Sequence, residues 1–181
     1  MTAAAAPLLW LYGPPGVGKS TVGWEIHSRL ATAGVPVGFA DADQLGLCYP
    51  TPADDPDNHR VKAANLAAVW PNLLATGARC IVFSGGVTEP GRVHQYIDGL
   101  RPAAAVTLCR LRVRTTELRS RLPRRGWSPD LVAASVTEAR DLDGGEEFAD
   151  LCVTTDGLSV GEVAETVLRQ AGGWPGTGVS R

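Results

Sequence analysis

The stretch Gly13-Pro14-Pro15-Gly16-Val17-Gly18-Lys19-Ser20, with Thr21 after it, constrains this chain more than any other. It fits G-x-x-x-x-G-K-[ST], in which a glycine-rich turn between a strand and a helix cradles phosphate oxygens. The flanks supply that context. Leu8 to Tyr12 is an apolar run of buried-strand length, and Val22, Ile26, Leu30 and Ala33 recur at helical spacing. Strand, loop and helix in this order predict a P-loop and an α/β fold built around it.

The residue types follow from the ligand. A triphosphate needs many converging donors, and Gly13, Gly16 and Gly18 let backbone N–H groups approach it closely. The helix that follows presents unpaired N–H groups and a positive dipole end to the same anion. Lys19 is expected to reach the β- and γ-phosphates and Ser20 to ligate Mg²⁺. Pro14 and Pro15 stiffen the loop, and the whole segment through Val17 and Thr21 is expected to line the nucleotide.

At 181 residues the chain is long enough to cover both faces of a sheet. A formal net charge of −2 and a pI near 5.9 argue against a surface built for nucleic acid. No apolar run approaches the roughly 18 residues of a membrane span. Met1 to Pro7 lacks a basic leader region, so a cytoplasmic protein is expected. Cys48, Cys80, Cys109 and Cys152 form no C-x-x-C pair, which speaks against zinc or a disulfide framework. His27, His59 and His94 are read as ordinary surface or boundary residues.

Strand-like runs alternate with helical patterns along the chain. A second strand, Val35 to Ala40, ends at Asp41-Ala42-Asp43, and a Pro-rich loop runs on through Pro56. A helix from His59 to about Ala75 is expected to kink at Pro71. Further strands are Arg79 to Phe83, Ala103 to Leu111 and Leu151 to Thr154, with a short helix over Gly91 to Leu100 between the first two. Ser128-Pro129 starts one helix, and Ser159 with Glu162 forms a capping box at the last. Five strands separated by helices require a parallel sheet with helices on both faces, and ligands then sit at the strands' carboxyl ends. Gly13, Asp41, Asp43, Ser84 and Gly85 all fall there. Arg110, Arg112 and Arg114 are read as a solvated strand-end face. No internal repeat or domain boundary appears, so residues 1–171 are expected to form one domain and 172–181 a flexible tail.

Over Leu8 to Ala171 the chain resembles the small-molecule kinases of the P-loop superfamily. The likeness is to nucleoside-monophosphate, shikimate, gluconate and adenylylsulfate kinases. It implies a three-layer P-loop NTPase fold of sheet order 2-3-1-4-5, Mg-ATP as donor, and an arginine-bearing lid over about 112–127. It also implies roles. Asp41 and Asp43 would lie beside the γ-phosphate on one side of an extended strand, Asp41 toward Mg²⁺ and Asp43 toward the acceptor hydroxyl. Arg121 and Arg125, in Leu118-x-x-Arg121-Leu122-x-x-Arg125-Gly126, would stabilise the transferring phosphoryl group. Ser84, Gly85 and Gly86 would line the acceptor pocket, Arg60 would meet an acidic group on the acceptor, and Asp156 would belong to the adenine loop.

The strand ending at Phe83 lacks a terminal acid, which weakens a motor-type or AAA-type ATPase reading. Asp43-Gln44-Leu45-Gly46 fits the D-x-x-G of a nucleotide switch, but no N-K-x-D accompanies it. A polynucleotide 5′-kinase using the arginine-rich segment is the remaining alternative. The favoured expectation is ATP-dependent phosphoryl transfer to a hydroxyl or phosphate of a small metabolite.

Overall fold

The computed structural model describes residues 4–175. The chain runs β1 (Ala6–Tyr12), α1 (Lys19–Thr32), β2 (Val37–Asp41), α2 (Ala42–Leu45), α3 (His59–Ala75) and β3 (Cys80–Ser84). It continues through α4 (Pro90–Ile97), β4 (Ala104–Arg112), α5 (Thr115–Arg124), α6 (Pro129–Gly144), β5 (Leu151–Thr154) and α7 (Val160–Gln170). The five strands pair in parallel in the order β2-β3-β1-β4-β5. Crossovers on both faces bury the central strands twice over, which is why β1 and β3 are almost wholly apolar.

Alternation along β1 divides the core. Leu9 and Leu11 pack with Val22 and Ile26 of α1, Leu118 of α5, Val136 of α6 and Val163 and Val167 of α7. Leu8, Trp10 and Tyr12 face the opposite layer, with Leu66 and Trp70 of α3 and Val93 and Tyr96 of α4. Each fully buried side chain of this size contributes about 1.5–3 kcal/mol. Trp10 also donates through Nε1 to the Gly85 carbonyl at 3.0 Å, tying the loop after β3 to the central strand.

Helix ends follow their sequence signals. Ser128 caps α6 with Pro129 in its first turn, and Ser159 and Glu162 complete the box at α7. Pro71 sits inside α3 without interrupting it. The loop expected after β2 opens instead with the helical turn α2, and the arginine-rich segment contains α5. Of the expected tail, residues 176–181 lie outside those described. Before them, Trp174 is 7% exposed and packs with the α1–α7 core layer.

The expected solvated face at Arg110 is corrected. Register places Tyr12 opposite Arg110 and Arg110 opposite Cys152, one layer across three strands. Arg110 is 4% exposed, donating to Glu147 at 2.9 Å and Asp143 at 2.7 Å. Arg112 shares Asp143 at 2.8 Å, and Glu147 also accepts from Tyr12 at 3.1 Å. A guanidinium enters the sheet layer because Asp143, in the last turn of α6, and Glu147, just after it, neutralise it there. The cluster fastens the C-terminal end of α6 to the sheet.

Burial opposes ionisation of Glu147, but hydrogen bonds from Cys152, the Ala149 N–H, Arg110 and Tyr12 outweigh it and hold the carboxyl at about 2. A depressed carboxyl stabilises the fold above the unfolded value of about 4.3, and that contribution is lost as pH falls toward 2. Glu147→Gln therefore lowers Tm at pH 7, and the gap from wild type closes as the pH approaches 2. Thermal denaturation of both proteins across that range is the measurement; a gap constant with pH would contradict it.

Candidate active site

The loop after β1 takes a path that side chains resist. Gly13, Gly16 and Gly18 have φ of 140°, 79° and 111°. A Cβ at Gly13 would overlap the Leu111 carbonyl oxygen on β4, and one at Gly16 would overlap Leu122 Cδ2 on α5. Gly18 caps α1 without a side-chain hydrogen bond, so the first N–H groups of α1 stay open to an anion. Lys19 Nζ folds back to donate to the carbonyls of Gly13 at 2.8 Å and Pro14 at 3.1 Å. Burial holds its pKa below the ordinary lysine value, against the opposing pull of Glu138, Asp43 and Asp41. Ser20 and Thr21 expose their side chains on the first turn of α1.

Beside this loop opens a cleft of about 400 Å³. Pro15, Gly16, Gly18, Lys19, Ser20 and Thr21 form one wall. Asp43, Asp57, His59, Lys62, Gly86, Val87, Thr88 and Arg92 form the other, and Arg125, Trp127 and Glu138 cover it from the α5–α6 segment. Ser135, fully buried on α6, donates to the Pro15 carbonyl at 2.6 Å and holds that segment down on the loop.

The two aspartates part company. β2 stops at Asp41, so strand alternation does not carry on to Asp43. Asp41 Oδ1 caps α2, accepting from the N–H groups of Asp43 at 2.9 Å and Gln44 at 3.2 Å. Its Oδ2 accepts from Ser84 Oγ at 2.5 Å. Asp43 instead lines the cleft, with Lys62 Nζ at 3.2 Å from Oδ1.

Set against known proteins, residues 10–143, from β1 through nearly all of α6, match a family model described as an AAA domain. The shikimate kinase of Xanthomonas campestris pv. campestris is 32% identical over 179 residues, covering 93% of this chain and 94% of that protein. The chain belongs to the P-loop small-molecule kinases. Among solved structures, a tunicamycin resistance protein of Deinococcus radiodurans superposes on this kinase with a TM-score of 0.69 at 23% identity. The match covers 92% of this chain and 96% of that one. The Mycobacterium tuberculosis APS kinase, in complex with AMPPNP and APS, gives 0.63 at 19% identity, covering 94% and 99%. At these identities the two structures speak for the fold. The kinase's β3 ends in Phe83-Ser84 without an acid, as the sequence indicates.

Several expected site residues take other posts in the kinase. Ser84 is buried against Asp41, and Gly85 is a packing glycine whose added Cβ would lie 2.7 Å from that of Ala42; only Gly86 of the three lines the cleft. Arg60 points away from the cleft into a two-pronged pair with Asp54 at 2.8 and 2.9 Å. Gly13 and Pro14 lie behind the cleft wall. Val17 turns its side chain into the core and its N–H to the Pro14 carbonyl at 3.2 Å.

The lid arginines separate as well. Arg125 lines both the main cleft and a smaller pocket of about 60 Å³, whereas Arg121 lines only the smaller one, with Gly18, Thr21, Thr155 and Leu158. Arg121 is held by Glu117 at 3.0 Å and the Thr155 carbonyl at 3.2 Å. Asp156 faces away, accepting from the Arg114 N–H at 3.1 Å, so Thr155 and Leu158 form that pocket's wall instead.

Sequence reasoning passed over His59, Asp57, Arg92, Trp127 and Glu138. His59 contacts Tyr96 OH through Nδ1 at 2.8 Å, and burial, then Arg92 and Lys62, keep its pKa below the ordinary value. Glu138 had a faint signal. It falls one turn after Ser135, beside the apolar stripe Val132, Val136 and Ala139 of α6.

Proposed function

We propose that this kinase transfers the γ-phosphoryl group of ATP to a hydroxyl of a small metabolite. The observation that carries the reading is the convergence of Lys19, Ser20, Asp43 and Arg125 on one cleft. Full-length likeness to a shikimate kinase supports an acceptor of metabolite size. The residues present suit Mg-ATP. The loop follows a positive-φ path closed to side chains at Gly13 and Gly16, the α1 N-terminus is open, and the Ser20 hydroxyl is exposed beside Lys19. Among the described residues no cluster of three His, Cys, Asp or Glu is shaped for a metal. Mg²⁺ would be held by the phosphates, by water and by the exposed Ser20 hydroxyl, whereas Asp41, expected on the metal side, has both carboxylate oxygens engaged with α2 and Ser84.

In transfer, the acceptor oxygen bonds to the γ-phosphorus as the bond to the β–γ bridging oxygen breaks, leaving ADP. Mg²⁺ would neutralise charge on the phosphates. Asp43 orients the acceptor hydroxyl and takes its proton, steadied by Lys62. Lys19 and Arg125 stabilise charge on the phosphoryl oxygens, and Trp127 above them excludes water. Arg121 serves the nucleotide's base side from the smaller pocket.

The test is a γ-labelled ATP transfer screen over sugars, nucleosides, nucleotides and hydroxy acids. Label on an acceptor is expected; ATP turnover that never labels one would contradict the reading. The two arginines give a finer check. Arg125→Ala lowers kcat by about 10²-fold or more with the ATP KM little changed. Arg121→Ala mainly raises the ATP KM, and steady-state kinetics with ATP varied separates the two.

A further inference from the structure

Of the carboxylates that line the cleft, Asp43, Asp57 and Glu138, only the first has a side-chain partner among the described residues. Lys62 is engaged with Asp43 at 3.2 Å, and Arg92 with Gln95 at 2.9 Å and Glu89 at 3.7 Å. Arg60, the cation best placed by sequence to greet an acidic acceptor, is spent on Asp54 outside the cleft. Arg125 has no carboxylate partner among the described residues, but it comes from the lid and also borders the pocket beside Gly18 and Thr21, on the phosphate side. Asp57 and Glu138 line the cleft as well, and among the described residues neither side chain makes a hydrogen bond or ion pair.

Glu138 is the better placed of the two. It is half-buried on α6, one turn past Ser135, whose hydroxyl is bonded to the Pro15 carbonyl at 2.6 Å. The Arg110–Asp143–Glu147 cluster fastens the other end of the same helix. Its carboxylate is therefore carried on a rigid element against the P-loop. Burial raises its pKa, Lys19 draws it back down, and Asp57 and Asp43 add to the rise, so the four groups act on one small volume.

Resting on the phosphoryl-transfer reading above, we infer that Glu138 selects the acceptor, and that the acceptor is a polyhydroxyl compound without an acid group that donates a hydroxyl or ammonium hydrogen bond to it. A γ-phosphate at Lys19 adds negative charge beside Glu138, Asp43 and Asp57. An acceptor carboxylate or phosphate would deepen that repulsion, and the wall's cations are already paired. A donor group between Glu138 and the phosphate relieves it. Selection of this kind rests on rejecting acids as much as on binding the correct compound.

The experiment compares kcat/KM for acids (shikimate, gluconate, a nucleoside monophosphate) with that for uncharged and amino polyols (hexoses, hexosamines, inositols, nucleosides), in wild type, Glu138→Gln and Glu138→Arg. Wild type is expected to favour an uncharged or amino member over every acid. Glu138→Gln raises the KM for that member by about tenfold or more, with ATP KM within about twofold. Glu138→Arg moves the preference toward acids, and thermal denaturation confirms that both variants fold. Wild type that prefers an acid, or Glu138→Gln that leaves acceptor KM unchanged, overturns the inference while leaving phosphoryl transfer standing. Failure of every member to take label removes both.

Discussion

Replacing Lys19 with alanine is expected to cut label transfer from ATP by about 10³-fold while leaving the fold standing. The ammonium lines the cleft from the first turn of α1, directly after the loop that leaves the sheet's central strand. In this structure it spends its hydrogen bonds on the Gly13 and Pro14 carbonyls, which preorganises it there. Binding exchanges those carbonyls for phosphate oxygens, and the interaction strengthens as charge develops on them. Lys19→Arg does not rescue, because a planar guanidinium on a differently shaped stem cannot take the place of the compact ammonium between the Gly13 and Pro14 carbonyls. Losing the two carbonyl contacts costs about 1–3 kcal/mol of stability, so a thermal melt run beside the assay separates lost chemistry from lost fold. Transfer by Lys19→Ala within tenfold of wild type would refute the role.

Asp43→Asn is expected to lower kcat by about 10²- to 10⁴-fold while calorimetric ATP affinity stays near wild type. The amide keeps the size of the carboxylate but cannot accept a proton from the acceptor hydroxyl. Asp43 is exposed enough that its loss leaves the core intact, and Lys62 then loses its anionic partner. Asp41→Asn forms the informative contrast. Asp41 caps α2 and receives the Ser84 hydroxyl, so its substitution lowers stability by about 1 kcal/mol, measured as a fall in Tm. A normal kcat in Asp43→Asn would remove it from the reaction.

The fold was legible because its signals are local. Apolar runs of strand length, a capping box at Ser159 and Ser128-Pro129 at α6 each act within a few residues, and the rules for parallel crossovers assemble them in few ways. The phosphate wall was legible for the same reason: the loop, Lys19 and the start of α1 are consecutive. The rest of the cleft, its facing wall and its cover, was not. It draws Asp43 from α2, His59 and Lys62 from α3, Thr88 from the loop after β3, Arg92 from α4 and Glu138 from α6. No spacing in the chain encodes that meeting.

Side-chain partnership was the other blind spot. Arg60 reads as a cation for the acceptor and Arg110 as part of a solvated strand-end face, yet one is taken by Asp54 and the other by Glu147 and Asp143. The last two lie more than thirty residues from Arg110 along the chain, and only the register of β4 against β1 and the return of α6 bring them together.

By itself, then, Gly13 to Ser20 with its flanking strand and helix determined that this chain builds a phosphate-binding α/β sheet, because glycine geometry and helix-end donors act at short range. Tertiary structure alone decided which carboxylate faces the cleft, which arginine lines it without a carboxylate partner among the described residues, and that Glu138 of α6 lines it too. Those outcomes depend on where a strand ends, how a helix is fastened and which charge neutralises which. Each is settled only when distant segments pack.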